Sequence, residues 1–380
     1  MAAKLLMIAV WTVTALVGDV TAINKTNCDV IRGSSFCIQS PCIESPCTMQ
    51  CGLTAKYGNC QQVCHSRICE VLACHASELC QQTVVQSTFA NMICDAMSCR
   101  QSCSLGQCGS MKCPKSVTSC VQTFANKMSC EANSCTQSCP IGGCQMTCLM
   151  GKNTCTQGAM KGSAVMECER GACEQNCVSR GQCRMNCSSK NVTSGSCRQV
   201  CNDSNCESMV CNAAKCTQTC SYGDCNMICL PTTNICFQRA QLGRTTLQCD
   251  GEFCQQSCSK GDCSLVCPVG VKTCEQSGAG GNITMRCQGD VCRQTCTSGS
   301  CNLICSENVK ECHQACSTTH GNCHFKCAAK TCELTCLGPG GSCNAVISDG
   351  NLTIRSLAFL ELLLVVAFIA ILNNHLILRK

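Results

Sequence analysis

The chain has 380 residues and a formal net charge of +6, with 54 cysteines and only 3% aromatic residues. Large apolar side chains, on which an ordinary core depends (a buried aromatic covers about 150–250 Å²), are nearly absent, so the composition argues against an enzyme fold and for a cross-linked scaffold. The charge is modest for this length, and no Lys/Arg run forms a nucleic-acid surface.

The chain opens on Met1-Ala2-Ala3-Lys4, an apolar run from Leu5 to Val17, and the small residues Val20-Thr21-Ala22. That order of basic, apolar and small residues is the layout of a secretory signal peptide, assigned to residues 1–22. Residues 23–36 follow as an N-terminal cap. Every cysteine lies between Cys28 and Cys343, so all 54 enter an oxidising compartment together and form up to 27 disulfides.

Residues 37–345 are one repeat. The motif Cys-x-Gln recurs at Cys37, Cys60, Cys80, Cys99, Cys120, Cys135, Cys155, Cys173, Cys197, Cys216, Cys236, Cys254, Cys274, Cys292 and Cys312. A further copy at Cys332 carries Leu334 in place of Gln, which is tolerated there if this is the terminal coil, with a single neighbour. Most steps are 18 to 21 residues. Full units hold two five-residue segments, as in Cys135, Cys139, Cys144 and Cys148, or Cys254, Cys258, Cys263 and Cys267. Four cysteines per unit, with one segment a residue longer, are read at Cys37, Cys42, Cys47 and Cys51 and at Cys99, Cys103, Cys108 and Cys113, and the first five-residue segment of another unit at Cys60 and Cys64. The regular layout recurs at Cys173, Cys177, Cys183 and Cys187; at Cys216, Cys220, Cys225 and Cys229; and at Cys292, Cys296, Cys301 and Cys305. These are the disulfide candidates.

Within each segment, positions 1, 3 and 5 read Cys-Gln-Cys or Cys-apolar-Cys. Alternation with period 2 marks a β-strand with one buried face. In Ala164-Val-Met166-Glu-Cys168 and Thr245-Thr-Leu247-Gln-Cys249 the first cysteine is replaced, yet the alternation survives. The constraint is therefore burial. The short links carry Gly106, Gly143, Gly223, Gly261 and Gly299, which suits turns that need positive φ. Sixteen units, ten with four cysteines, five with two and one with three, account for all but Cys28.

Two strands cannot bury a face alone, but stacked copies can. The expected fold is all-β: a disulfide-rich β-solenoid of about 16 coils of ~19 residues, its strands stacked at about 4.8 Å. Inward glutamines of successive coils then form an amide ladder through Gln137, Gln157, Gln175, Gln199, Gln218, Gln238, Gln256, Gln276 and Gln294. The alternative is a string of EGF-like modules, but those contain a Cys-x-Cys step that does not occur here.

The architecture resembles the disulfide-braced β-helices of insect antifreeze proteins. Their ice-binding Thr-x-Thr row is missing from the positions flanking Gln, which read Thr136/Ser138, Glu174/Asn176 and Arg198/Val200. The plan of signal, cysteine-rich repeats and C-terminal anchor is similar to cysteine-rich proteins of cnidarian extracellular and skeletal matrices.

Residues 346–356 read as a stalk. The apolar segment 357–372 reads as a transmembrane helix, with 373–380 as a short cytoplasmic tail ending in Arg379-Lys380, or as a lipid-anchor signal. Glycosylation signals stand at Asn24, Asn191, Asn202, Asn282 and Asn351; Asn186, beside Cys187 in a strand, is set aside. Cys-x3-Cys on one strand separates the sulfurs by about 13 Å, too far to chelate one ion. No catalytic, cofactor or metal motif is found. The reading is a non-enzymatic structural or adhesive rod at the cell surface or in the extracellular matrix, possessing an unidentified extracellular partner. The alternatives are a ligand- or receptor-binding surface protein, whose mark would be an outward aromatic or charged patch, and a metal-binding cysteine-rich protein. Alkylation of the unreduced, denatured protein should label few or no cysteines; ten or more free thiols would defeat the scaffold reading.

Overall fold

The computed structural model describes residues 36–356, apart from short stretches at 43–46, 53–56, 88–89, 105–107, 150–153, 170, 179–180, 190–194, 318–320, 338–341 and 349–350. The expected signal peptide, the cap up to residue 35, the apolar segment 357–372 and the tail lie outside these residues. The described residues form strands and turns, with no helix among them, hence none long and apolar enough to cross a membrane. The chain divides into two compact units, Met1–Ala159 and Met160–Lys380.

Each unit is a parallel β-solenoid. In the first, strand Ser134–Cys139 runs along one face, the chain turns, and strand Cys144–Leu149 returns along the other. One coil later, strand Thr154–Ala159 lies beside Ser134–Cys139 with Cys135 opposite Cys155 and Gln137 opposite Gln157. In the second unit, strand Lys215–Cys220 lies between Ser196–Asn202 and Ile235–Ala240, again with Gln199, Gln218 and Gln238 in one register. Parallel strands ordinarily need a long crossover; here the strand on the opposite face is the crossover. Residue-for-residue pairing of successive coils is what independent EGF-like modules would lack, so the stacked arrangement stands.

The pentads bury alternate residues, as in Phe253–Ser259, where Cys254, Gln256 and Cys258 point inward; Cys336, near the end of the described residues, is only half-buried. Several segments have one residue too many, among them Cys69 to Cys74 and Cys206 to Cys211. These two absorb it as a β-bulge, with the register shifting after Cys47 in one neighbour and after Cys183 in the other. The bulge keeps Leu72 and Met209 inside, where a plain insertion would reverse every later side chain.

The cysteines join consecutive strands at the corners. Cys201 pairs with Cys206 and Cys211 with Cys216, and the described pairs are separated by 5 to 10 residues. No cysteine is free among the described residues; Cys28 and the side chain of Cys42 lie outside them. Closing so short a loop restricts the unfolded chain by about 2–3 kcal/mol per bond in the chain-entropy account.

Three expectations need correction. Strands Ser342–Ile347 and Asn351–Ser356 continue the pairing, so the solenoid runs on through most of the segment read as a stalk. Leu334 is consequently not in the last coil; its backbone lies opposite Ile354. Finally, Gly143, Gly223 and Gly299 do have φ of +85°, +101° and +88°, whereas Gly261 does not. A Cβ on Gly261 would sit 2.3 Å from the carbonyl oxygen of Gly243 one coil below. Close approach of two backbones, and not backbone handedness, selects glycine there. Gly106 lies outside the described residues.

Gly261→Ala should therefore destabilise the protein by about 1–3 kcal/mol, the usual range for overpacking. Gly158→Ala, whose new methyl meets nothing within 4 Å, should be neutral or slightly stabilising. Denaturant unfolding of the two variants compares them directly; equal midpoints would refute the stacking contact.

Candidate functional site

The interior has two unlike columns. On one face of each unit the glutamines form an amide chain. In Met1–Ala159 each Nε2 donates to Oε1 of the preceding coil through Gln39, Gln62, Gln82, Gln101, Gln122, Gln137 and Gln157, at 2.7–2.9 Å. In Met160–Lys380 the same bonds link Gln175, Gln199, Gln218, Gln238, Gln256, Gln276, Gln294 and Gln314 at 2.7–2.8 Å. Many Nε2 groups use their second hydrogen on a carbonyl of the facing strand, as Gln199 does on Val210 at 3.1 Å and Gln238 on Gln248 at 2.9 Å. On the other face Met146 in the first unit, and Met166, Met185, Met209, Met227, Leu247 and Leu265 in the second, are fully buried.

All the bonds of the ladder point the same way along the chain. Its end is visible: Gln314 Oε1 is buried and has no hydrogen-bond partner, because the residue opposite is Leu334. Polarity changes the expected effect of breaking the ladder. Removing Gln199 deprives Gln175 Oε1 of its donor, whereas Gln218 Nε2 keeps the carbonyls of Met209 and Ile228. The loss therefore falls on one neighbour, not equally on both as symmetric stacking would imply.

The sequence places two sulfurs of one strand far apart, but the fold brings sulfurs together across corners and coils. Sγ atoms of Cys201, Cys220 and Cys225 lie within 4.8 Å of one another, as do those of Cys187, Cys197 and Cys211. Each belongs to a disulfide, so none is a thiolate ligand in this state.

Outward side chains of adjacent coils form exposed ion pairs: Arg198 with Glu174 at 3.3 Å, Arg293 with Glu275 at 3.3 Å and Lys310 with Asp290 at 3.0 Å. His313 Nδ1 lies 2.8 Å from a Glu333 carboxylate oxygen. Such pairs contribute about 0–1 kcal/mol each and mainly favour the correct register. His313 projects from the glutamine face and His324 from the methionine face.

An outward aromatic patch, not foreseen from the sequence, is present. The Phe237 and Phe253 rings meet edge to face, with centroids 6.3 Å apart, beside exposed Ile235 and Arg239. One residue follows its cysteine and the other precedes it, so comparing like positions between repeats misses the pair; only diagonal neighbours on the sheet reveal it. Among the sequons, Asn282 is exposed and so is Asn186, which projects outward from its strand. Asn202 is half-buried, and its Oδ1 accepts a 2.7 Å bond from the Ser221 hydroxyl. Asn24, Asn191 and the side chain of Asn351 lie outside the described residues. No protein-family model, curated protein or solved structure matches the chain.

Gln199→Leu should cost about 1–3 kcal/mol because Gln175 Oε1 loses its Gln199 donor. Gln314→Leu only moves the ladder's end back to Gln294 and should cost less. Gln255→Leu, at an exposed position, should cost least. Equal shifts for all three in denaturant unfolding would contradict a directional ladder.

Proposed function

We propose that this chain is a non-enzymatic structural or adhesive protein of the cell surface or extracellular matrix. The observation that carries the reading is the closure of coil after coil by its own disulfides, with no free cysteine among the described residues. Such a framework belongs to an oxidising compartment and resists unfolding and proteolysis locally. On this reading residues 1–22 direct secretion, and the apolar segment 357–372 anchors the chain, as a single spanning helix or as a lipid-anchor signal. The exposed sequon at Asn282 carries a glycan. Outside the cell the protein associates with a matrix or mineral.

A second reading, recognition of an extracellular protein, is favoured by Phe237 and Phe253. Isolated aromatic pairs of this kind supply large contact area to a partner at small entropic cost. Soft-metal binding has the least support, since it needs thiolates where the chain has disulfides.

The full chain, expressed in cells, should stain with antibody on unpermeabilised cells and survive protease until a reductant is added. It should also retain those cells on a matrix-coated surface. Intracellular retention with alkylatable thiols would overturn the proposal. If adhesion is seen, Phe237→Ser combined with Phe253→Ser separates the two readings: lost adhesion at unchanged stability favours recognition through the patch.

A further inference from the structure

In successive coils the corner disulfides are stacked. Cys201 lies opposite Cys220 and Cys206 opposite Cys225 in the parallel register. Each disulfide spans a Cα separation of 6.4 Å within its coil. In-register neighbours on adjacent parallel strands are about 4.8 Å apart, also inside the range that a disulfide accepts. Sγ atoms of Cys201, Cys220 and Cys225 are within 4.8 Å of one another, and those of Cys296, Cys316 and Cys323 are too. Three of the four sulfurs at such a corner are thus mutually close, and the fourth, Cys206 in the first case, is bonded to Cys201 and in register with Cys225, so the four can be joined in two ways, within coils or between them.

The same corner is interrupted at intervals. Cys258 and Cys263 are flanked on one side by Ala240 and Thr245 and on the other by Gly278 and Ile283. Their disulfide has no sulfur neighbour at that corner in either adjacent coil. The interruptions divide the column into blocks, with Cys177–Cys183, Cys201–Cys206 and Cys220–Cys225 in one, and Cys296–Cys301, Cys316–Cys323 and Cys336–Cys343 in another.

We propose that each block is a thiol–disulfide exchange unit, in which a low-molecular-weight thiol catalyses conversion of coil-closing bonds into coil-joining bonds. The thiolate of glutathione attacks Cys225, forming a mixed disulfide and releasing Cys220 as a thiolate. Cys220 attacks Sγ of Cys201; the Cys201–Cys220 bond forms, the Cys201–Cys206 bond breaks, and the electron pair leaves on Cys206. Cys206 then attacks Cys225, closing Cys206–Cys225 and expelling glutathione. No net oxidation or reduction occurs, and the thiol is regenerated. Two neighbouring coils become covalently joined where before each was closed on itself. Ala240/Thr245 and Gly278/Ile283 are the breaks that stop the exchange.

The test uses the full chain, folded, at mildly alkaline pH because burial disfavours the thiolate. After incubation with reduced and oxidised glutathione, acid quench and peptide mapping, Cys201–Cys220 and Cys206–Cys225 links should appear, while Cys258 returns paired only with Cys263. Cys225→Ser starts the exchange without added thiol: its free Cys220 should hand the thiol on, so that about two thirds of the alkylation label leaves Cys220 for Cys201, Cys206, Cys177 or Cys183, as expected for three coils with bonds of similar strength. Cys263→Ser should leave the label on Cys258. Label that stays on Cys220, or Cys258 links as frequent as Cys220 links, would overturn the proposal; so would links to distant coils, which report unfolding. Should Cys225→Ser fail to fold, the glutathione experiment on the unaltered chain decides alone.

Discussion

Reversing the chain within a few residues, while keeping two strands face to face across a thin interior, is the constraint on which everything else depends. The corner disulfide meets it. Cys201–Cys206 ties the end of one strand to the start of the next, and Cys211–Cys216 ties the return. With both ends of a coil fixed, its strands cannot slide past one another, so the glutamine of one face and the methionine of the other are set at the same height. Where a corner lacks its disulfide, its volume is supplied otherwise. Gly278 stands opposite Ile283, and a Cβ on the glycine would lie 2.7 Å from Ile283 Cδ1 and from Met285 Cε. A large side chain and an absent one replace two medium ones, the kind of volume-conserving exchange that close-packed interiors tolerate.

Corner disulfides join strands that follow one another in the chain, not the strands that lie side by side in adjacent coils. The cohesion of side-by-side strands comes from the backbone ladders, the methionine column and the glutamine amides, all nearest-neighbour terms that add with each coil. The amide chain has a particular consequence because it is polar. Within each unit every internal Oε1 has a donor from the following coil, as Gln294 Oε1 has from Gln314, and among the described residues Gln314 carries the ladder's unpaired acceptor. The cost of that end is the same for a short ladder and a long one, while each added coil contributes a further bond. Long uninterrupted runs are therefore favoured over short ones, and an interruption in the middle creates a new end.

Much of this was legible in the sequence because a period-2 pattern and a repeat of about 19 residues reinforce one another. Gln137 and Gln199 could be placed inward from their spacing between cysteines alone, and both are buried. Replacement of cysteine by Ala164 and Thr245 showed that burial governs those positions, although the buried Thr245 hydroxyl has no partner and the structure offers no reason for its choice. What was not legible depends on neighbours in adjacent coils. The donor direction of the ladder, the diagonal contact of Phe237 with Phe253 and the carbonyl of Gly243 under Gly261 are set by three-dimensional stacking. Reading each repeat against its own template cannot reveal them. The extension to Ser356 was missed for a related reason: the last strand has lost its cysteines and so its signature, but not its backbone pairing.

Local cross-links also bear on how such a chain reaches its fold. A disulfide between residues 5 to 10 apart closes within one coil, so its formation waits on no distant segment. Loop-closure entropy grows with loop length, and these loops are near the short limit. Backbone pairing then adds each completed coil to the one before, with sequence separations near a single repeat throughout, as in Gln199 with Gln218. Coil-by-coil growth limits the errors available as well, since a cysteine at a corner meets only the sulfurs of its own and the adjoining coils. Spacing the cysteines at strand ends thus restricts pairing in a chain with 54 of them: proximity within the growing stack does what composition alone could not.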